Sequence, residues 1–152
     1  MIIWCASYPK SGNTWVRAII TSLIYSENGI FNFDMLRKVS LFPKRFYFKD
    51  FIDDYSDLKK VSQYSINAQE KINSDGKIRI LKTHNGNYNF LGNDFTNKKN
   101  TLGVIYIVRD PRNIIPSISS HYQLNMKQSV SFMLDKKRTL GNLGQNNTSE
   151  EN

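Results

Sequence analysis

Three short constellations in this chain carry residue types suited to holding and handling an anion. The first is Tyr8-Pro9-Lys10-Ser11-Gly12-Asn13-Thr14-Trp15. It lies between a short apolar run, Ile2–Ala6, and a segment with helical spacing from Thr14 to about Tyr25. A helix N-terminus presents unpaired backbone N–H groups and a partial positive charge, so phosphate fits there. Gly12 lets the backbone curl close to an anion, Lys10 adds a full charge, and Ser11, Asn13 and Thr14 add side-chain hydrogen bonds. The order differs from the G-x-x-x-x-G-K-S/T phosphate loop, because Lys10 precedes Gly12. Taken alone, the segment reads equally well as an ordinary polar turn.

The second constellation is Tyr106-Ile107-Val108-Arg109-Asp110-Pro111-Arg112-Asn113, with Ser117 further on. Arg109 leaves an apolar run at its carboxyl end, the edge where ligands sit in parallel α/β sheets. Ser117 falls roughly two turns into the helix that follows. The two could share one phosphate, with Arg109 offering a planar fork of donors. Asp110 suits a helix cap, Pro111 the first helical position, and Arg112 a surface ion pair. The third constellation, Lys82-Thr83-His84, follows another strand candidate. A histidine at that edge can take a proton from an attacking hydroxyl near neutral pH. His121, on the later helix, reads as structural, and two His with one Cys make no zinc signature.

The elements that must position these residues alternate. Ile2–Ala6, Lys77–Leu81 and Leu102–Val108 are β-branched or aromatic runs of strand length. Helices are predicted from Thr14 to Tyr25, over Ser56–Lys71, from Asp110 to Leu124 and over Ser129–Lys137. On the first helix Trp15, Ala18, Ile19, Ser22 and Leu23 share the apolar face. Residues 85–100 read as loop, and the Asn-rich tail from Thr139 as disordered. Strands separated by helical crossovers indicate a parallel sheet in one α/β domain over residues 1–138. Pro116 is unusual inside a helix, because it removes one backbone hydrogen bond.

Composition bounds the partners. The chain has 152 residues, with 21 Lys+Arg against 13 Asp+Glu for a net charge of +8. That balance favours anionic ligands or serves solubility alone. Phe31, Phe33, Phe42, Phe46, Tyr47, Phe48 and Phe51 interleave with Arg37, Lys38, Lys44, Arg45 and Lys49. Core aromatics with cations on the wet side are the preferred reading over a single-stranded nucleic-acid surface. Cys5, the only cysteine, excludes an intrachain disulfide, and strand burial should raise its pKa. No run reaches the ~18 apolar residues of a membrane span, and no secretory leader is evident. A cytoplasmic protein with no membrane or specific nucleic-acid partner is expected.

Together the motifs resemble the sulfotransferases that use 3'-phosphoadenosine 5'-phosphosulfate. Tyr8–Trp15 is similar to that family's Tyr-Pro-Lys-Ser-Gly-Thr-Thr-Trp loop, with Asn13 in place of the first Thr. Tyr106–Ser117 resembles its 3'-phosphate segment, including the Arg-to-Ser spacing, and Lys82-Thr83-His84 its catalytic Lys-Thr-His. The resemblance runs from about residue 1 to 125.

It implies a P-loop NTPase-like three-layer α/β/α domain with a parallel sheet. It implies a nucleotide donor bound by Lys10, Ser11, Gly12, Asn13, Thr14 and Trp15 on one side and by Arg109 and Ser117 on the other, without a metal. Lys10 would offset charge on the leaving phosphate, His84 would take the proton of a small hydroxyl or amine acceptor, and Lys82 would hold sulfuryl oxygens. Trp15 would pack near the adenine or, by its apolar helix face, in the core. The family's C-terminal Arg-Lys-Gly element has no counterpart here; Leu140-Gly141-Asn142-Leu143-Gly144 has glycines but no cation pair. A fragment, a short form or a chain completing its site otherwise would each explain that. The alternative activity is a nucleotide-binding module with weak or no catalysis. A kinase would need an acidic magnesium ligand, for which only Asp110 is placed.

Overall fold

A computed structural model describes residues 1–135. The elements run β1 (Ile2–Ser7), α1 (Asn13–Tyr25), α2 (Leu58–Gln63), α3 (Ser65–Asn73), β2 (Arg79–Thr83), β3 (Asn89–Phe90), β4 (Asn93–Asp94), β5 (Thr101–Ile107), α4 (Pro111–Tyr122) and α5 (Met126–Leu134). The main sheet is parallel, with β1 between β2 and β5. Successive β1 side chains alternate between its two faces. Ile3 and Cys5 meet Val16 and Ile20 of α1, together with Val39 and Ile80. Ile2 and Trp4 meet Phe42, Phe48, Ile52, Val61, Ala68 and Leu81 on the opposite face. The fold is therefore α/β, a parallel sheet flanked by helices, as expected.

Trp4 anchors the second face. Its ring centroid lies 5.4 Å from that of Phe42 and 5.1 Å from that of Phe95. Its indole N–H donates to Thr101 Oγ1 at 2.9 Å, which joins β1 to the start of β5. Trp4→Ala is expected to cost about 3–5 kcal/mol of folding stability, read by denaturant unfolding.

Several expectations need correction. The face of α1 that carries Trp15, Ile19 and Leu23 points outward, with Trp15 and Leu23 each 78% exposed. The face turned inward is mixed: Val16 and Ile20 pack on the core, and Asn13, Arg17 and Thr21 beside them are buried. Hydrogen bonds offset part of that burial, Arg17 Nη2 donating to the Leu36 carbonyl at 2.7 Å and Thr21 Oγ1 to the Ala18 carbonyl at 3.1 Å. Core packing of Trp15 is excluded. The second strand is shifted, so that Lys82 and Thr83 lie inside β2 and His84 is the first residue beyond it. The helix expected over Ser56–Lys71 is broken at Tyr64 into α2 and α3. The last helix starts earlier, at Met126, because Asn125 and Gln128 form a reciprocal cap.

The 85–100 loop contains a hairpin, β3–β4, turning through Leu91 (φ 52) and Gly92 (φ 85). Two positive φ values in a two-residue turn match the right-handed twist of the strands. The aromatic stretch divides. Phe42 and Phe48 are fully buried as core aromatics, while Phe33 and Phe46 face solvent and Lys49 stands over the Phe46 ring at 5.2 Å. Asp110 caps α4 through the Arg112 N–H at 2.8 Å and pairs with the Arg112 guanidinium at 2.6 Å, and α4 continues through Pro116. The tail from Thr139 and the end of the predicted helix at Lys137 lie outside the described residues.

Candidate active site

The segment between β1 and α1 folds as a tight cradle of backbone. Lys10 adopts φ 67 and Gly12 φ 100, two left-handed residues that wrap the backbone around one point. At Gly12 the demand is conformational, since no atom lies within 4 Å of where a Cβ would stand. At Lys10 a non-glycine residue bears a left-handed backbone, a strain that clusters at functional sites. The Ser11 N–H is tied to the Tyr8 carbonyl at 3.2 Å. Gly12 is the N-cap residue of α1, no side chain caps the helix, and its first turn has no acidic residue. The backbone N–H groups of Asn13, Thr14 and Trp15 lack intrahelical partners by position. Ser11 and Asn13 are buried, whereas Thr14 and Trp15 are exposed.

Arg109 reaches this cradle from just beyond β5, the strand paired with β1. Its Nη1 donates to the Lys10 carbonyl at 3.1 Å, so the second constellation braces the strained residue of the first. Lys10, Arg109 and Ser117 line one open cleft of about 610 Å3. Asn113, Ser120 and His121 share its wall. Asn113 belongs to the second constellation, whereas Ser120 and His121 were not assigned to the site; His121 stands edge-on to Tyr122 at 4.7 Å. The signal was present in their spacing. Residues 113, 117, 120 and 121 recur at helical intervals on the face already marked by Ser117.

His84 meets the cradle at its other end. Its Nδ1 lies 2.7 Å from the Ser7 carbonyl and 3.3 Å from Ser7 Oγ. Burial, first, and then the charges of Lys82 and Arg17 push the ring below its ordinary value of 6.5, while the Ser7 carbonyl acts in the opposite direction. Lys82 is half-buried on β2, opposite Cys5 in the register. Burial also raises the Cys5 thiol, against Arg17 and Lys82, as its strand position predicted. Neither His84 nor Lys82 lines the cleft. Lys10, Arg109 and Ser117 are gathered there, and His84 joins them through Ser7 and the loop.

A family model described as sulfotransferase domain matches residues 2–146. The chain belongs to that family. No curated protein and no solved structure matches it. The sulfotransferase domain thus has the chemistry of sulfuryl transfer as its general frame, and the match extends beyond the described residues. Among the described residues, no cluster of three His, Cys, Asp or Glu is placed to hold a metal ion. No described helix is long and apolar enough to cross a membrane.

Proposed function

We propose that this sulfotransferase domain takes its sulfuryl group from 3'-phosphoadenosine 5'-phosphosulfate and delivers it to a hydroxyl or amine of a small acceptor. The observation that carries the reading is the pair of anion-binding elements joined by the Arg109–Lys10 contact. An uncapped helix N-terminus with Lys10 suits one phosphate group, and Arg109 with Ser117 across the cleft suits a second. A nucleotide with phosphates at both ends of its ribose has that charge pattern.

The donor fits the residues present, because the helix start lacks both a capping side chain and an acidic group that would repel an anion. The backbone N–H groups of residues 13–15, with Ser11 and Thr14, would hold its 5' end. Arg109 and Ser117 would hold its 3'-phosphate, and the exposed Trp15 ring is available to the base. The donor supplies the sulfuryl group and a phosphate leaving group. Lys10 offsets the negative charge that grows as that bond breaks, a preorganised electrostatic role. Lys82 holds sulfuryl oxygens. His84 Nε2 accepts the proton of the acceptor, and its position below the ordinary imidazole value keeps it neutral at physiological pH. No metal is needed, since lysine and backbone donors carry the neutralising charge.

Titration calorimetry tests the donor class. 3'-Phosphoadenosine 5'-phosphate is expected to bind more tightly than adenosine 5'-monophosphate, and Arg109→Ala to remove most of the difference. A charge-assisted contact is worth about 1.5–3 kcal/mol, or about 10- to 150-fold in Kd. Loss of the Arg109–Lys10 contact weakens both ligands, so the ratio between them isolates the 3'-phosphate. Equal affinities in the wild type would defeat the reading. Strong, steeply salt-dependent binding to arbitrary oligonucleotides would instead favour a nucleic-acid surface.

A further inference from the structure

We infer that Ser7 and Asn13 are positioning residues for the base, locking His84 in the tautomer whose free lone pair is on Nε2. The inference rests on the assignment of His84 as the proton acceptor. Two carbonyls fix the polarity of the chain of hydrogen bonds, because a carbonyl can only accept. At one end, the Cys5 carbonyl lies 3.1 Å from the Asn13 amide, which must therefore present its NH2 group. The second hydrogen of that group is donated to Ser7 Oγ at 3.1 Å. At the other end, the Ser7 carbonyl lies 2.7 Å from His84 Nδ1, so Nδ1 carries the proton. A hydroxyl donating to a bare Nδ1 would leave two lone pairs facing each other across that same 2.7 Å. Ser7 Oγ, at 3.3 Å, is then a second acceptor for the Nδ1 proton.

Ser7 and Asn13 are 4% and 5% exposed, so solvent does not compete for these bonds. Asn13 is also the first residue of α1, where the cradle begins. One buried amide therefore ties the end of β1, the cradle and the imidazole together. Asn13 stands where the related loop motif has Thr, and a single hydroxyl donor could not bond Cys5 O and Ser7 Oγ at once.

Nitrogen-15 correlation spectra of the full chain read the tautomer directly. The chain has two histidines, so His121→Gln assigns the signals. Wild-type His84 is expected to show the Nδ1–H form at neutral pH. Ser7→Ala keeps the backbone carbonyl and should keep that form, whereas Asn13→Ala, which frees the end of β1 that carries the carbonyl, should convert it to a mixture. In Ser7→Ala, kcat should fall roughly two- to tenfold, the ratio one net hydrogen bond supports, at unchanged donor affinity. An Nε2–H form in the wild type overturns the inference, and so does a tautomer indifferent to Asn13→Ala. The wild-type spectrum decides even if a variant fails to fold. If the lock is seen but His84→Ala remains fully active, the assignment of the base fails while the lock stands.

Discussion

His84→Ala is expected to lower sulfuryl transfer to a hydroxyl acceptor by roughly 100- to 10,000-fold, the usual worth of a positioned general base. Nucleotide affinity should stay close to that of the wild type, because His84 contacts Ser7 and does not line the cleft of Lys10, Arg109 and Ser117. The measurement is transfer of labelled sulfate across a panel of phenols, alcohols and amines, beside donor titrations. The acceptor kcat/KM should also fall on acidification, with its midpoint below 6.5. Burial and the charges of Lys82 and Arg17 lower the folded-state pKa, so the neutral, proton-accepting ring persists to lower pH than a free imidazole. Below that midpoint the ring is protonated and cannot act as base. Lys82→Ala removes one of those charges and should move the midpoint upward. Full activity in His84→Ala would remove His84 as the base.

His121→Ala should behave differently. Its ring lies on the cleft wall beside Ser117, so any effect belongs to nucleotide affinity and leaves the acceptor pH profile in place. The contrast separates the two histidines by mechanism as well as by the size of the loss.

The strand–turn–helix around Lys10 and the Asp110-Pro111 helix start were legible in the sequence for a local reason. Turn chemistry, caps and β-branched runs act within a few residues. The facing of α1 was not legible. Its best apolar stripe, through Trp15, Ile19 and Leu23, is outward, and the inward face sets Asn13, Arg17 and Thr21 beside Val16 and Ile20. Hydropathy periodicity assumes that the apolar face is buried. Here tertiary hydrogen bonds from Arg17 to Leu36 and from Asn13 to Cys5 and Ser7 override it. The same partners, distant in sequence, explain why the role of Ser7 was invisible. Ser7 and His84 meet only because β1 and β2 pair in register, with Ala6 opposite Thr83. Lys10, Arg109 and Ser117 were found together because each follows a strand or starts a helix at one sheet edge, a rule of parallel topology. Ser120 and His121 required only that the helical face of Ser117 be followed further.

Lys10→Ala is expected to reduce kcat by roughly 100- to 1,000-fold, the loss typical when one preorganised charge-stabilising donor is removed. Donor affinity should fall much less. The ground-state phosphate retains the backbone N–H groups at the start of α1, which the substitution does not touch. The full charge of Lys10 matters most as the leaving phosphate gains charge, so its removal penalises the transition state beyond the bound donor. The backbone needs its own control. Lys10 has φ 67 and its carbonyl accepts from Arg109, so a variant could act by relaxing the loop. Lys10→Gly accepts that φ without strain, and Lys10→Arg keeps the charge. If charge is the cause, Lys10→Gly should lose kcat as Lys10→Ala does, and Lys10→Arg should recover part of it. If strain is the cause, Lys10→Gly should be the most active of the three. Comparing single-turnover rates with donor Kd for each variant settles which holds. A fall in affinity with kcat unchanged would make Lys10 an anchor. Absence of turnover in the wild type, with tight and 3'-phosphate-dependent nucleotide binding, would favour the binding module, because the two phosphate elements would then operate without the chemical step.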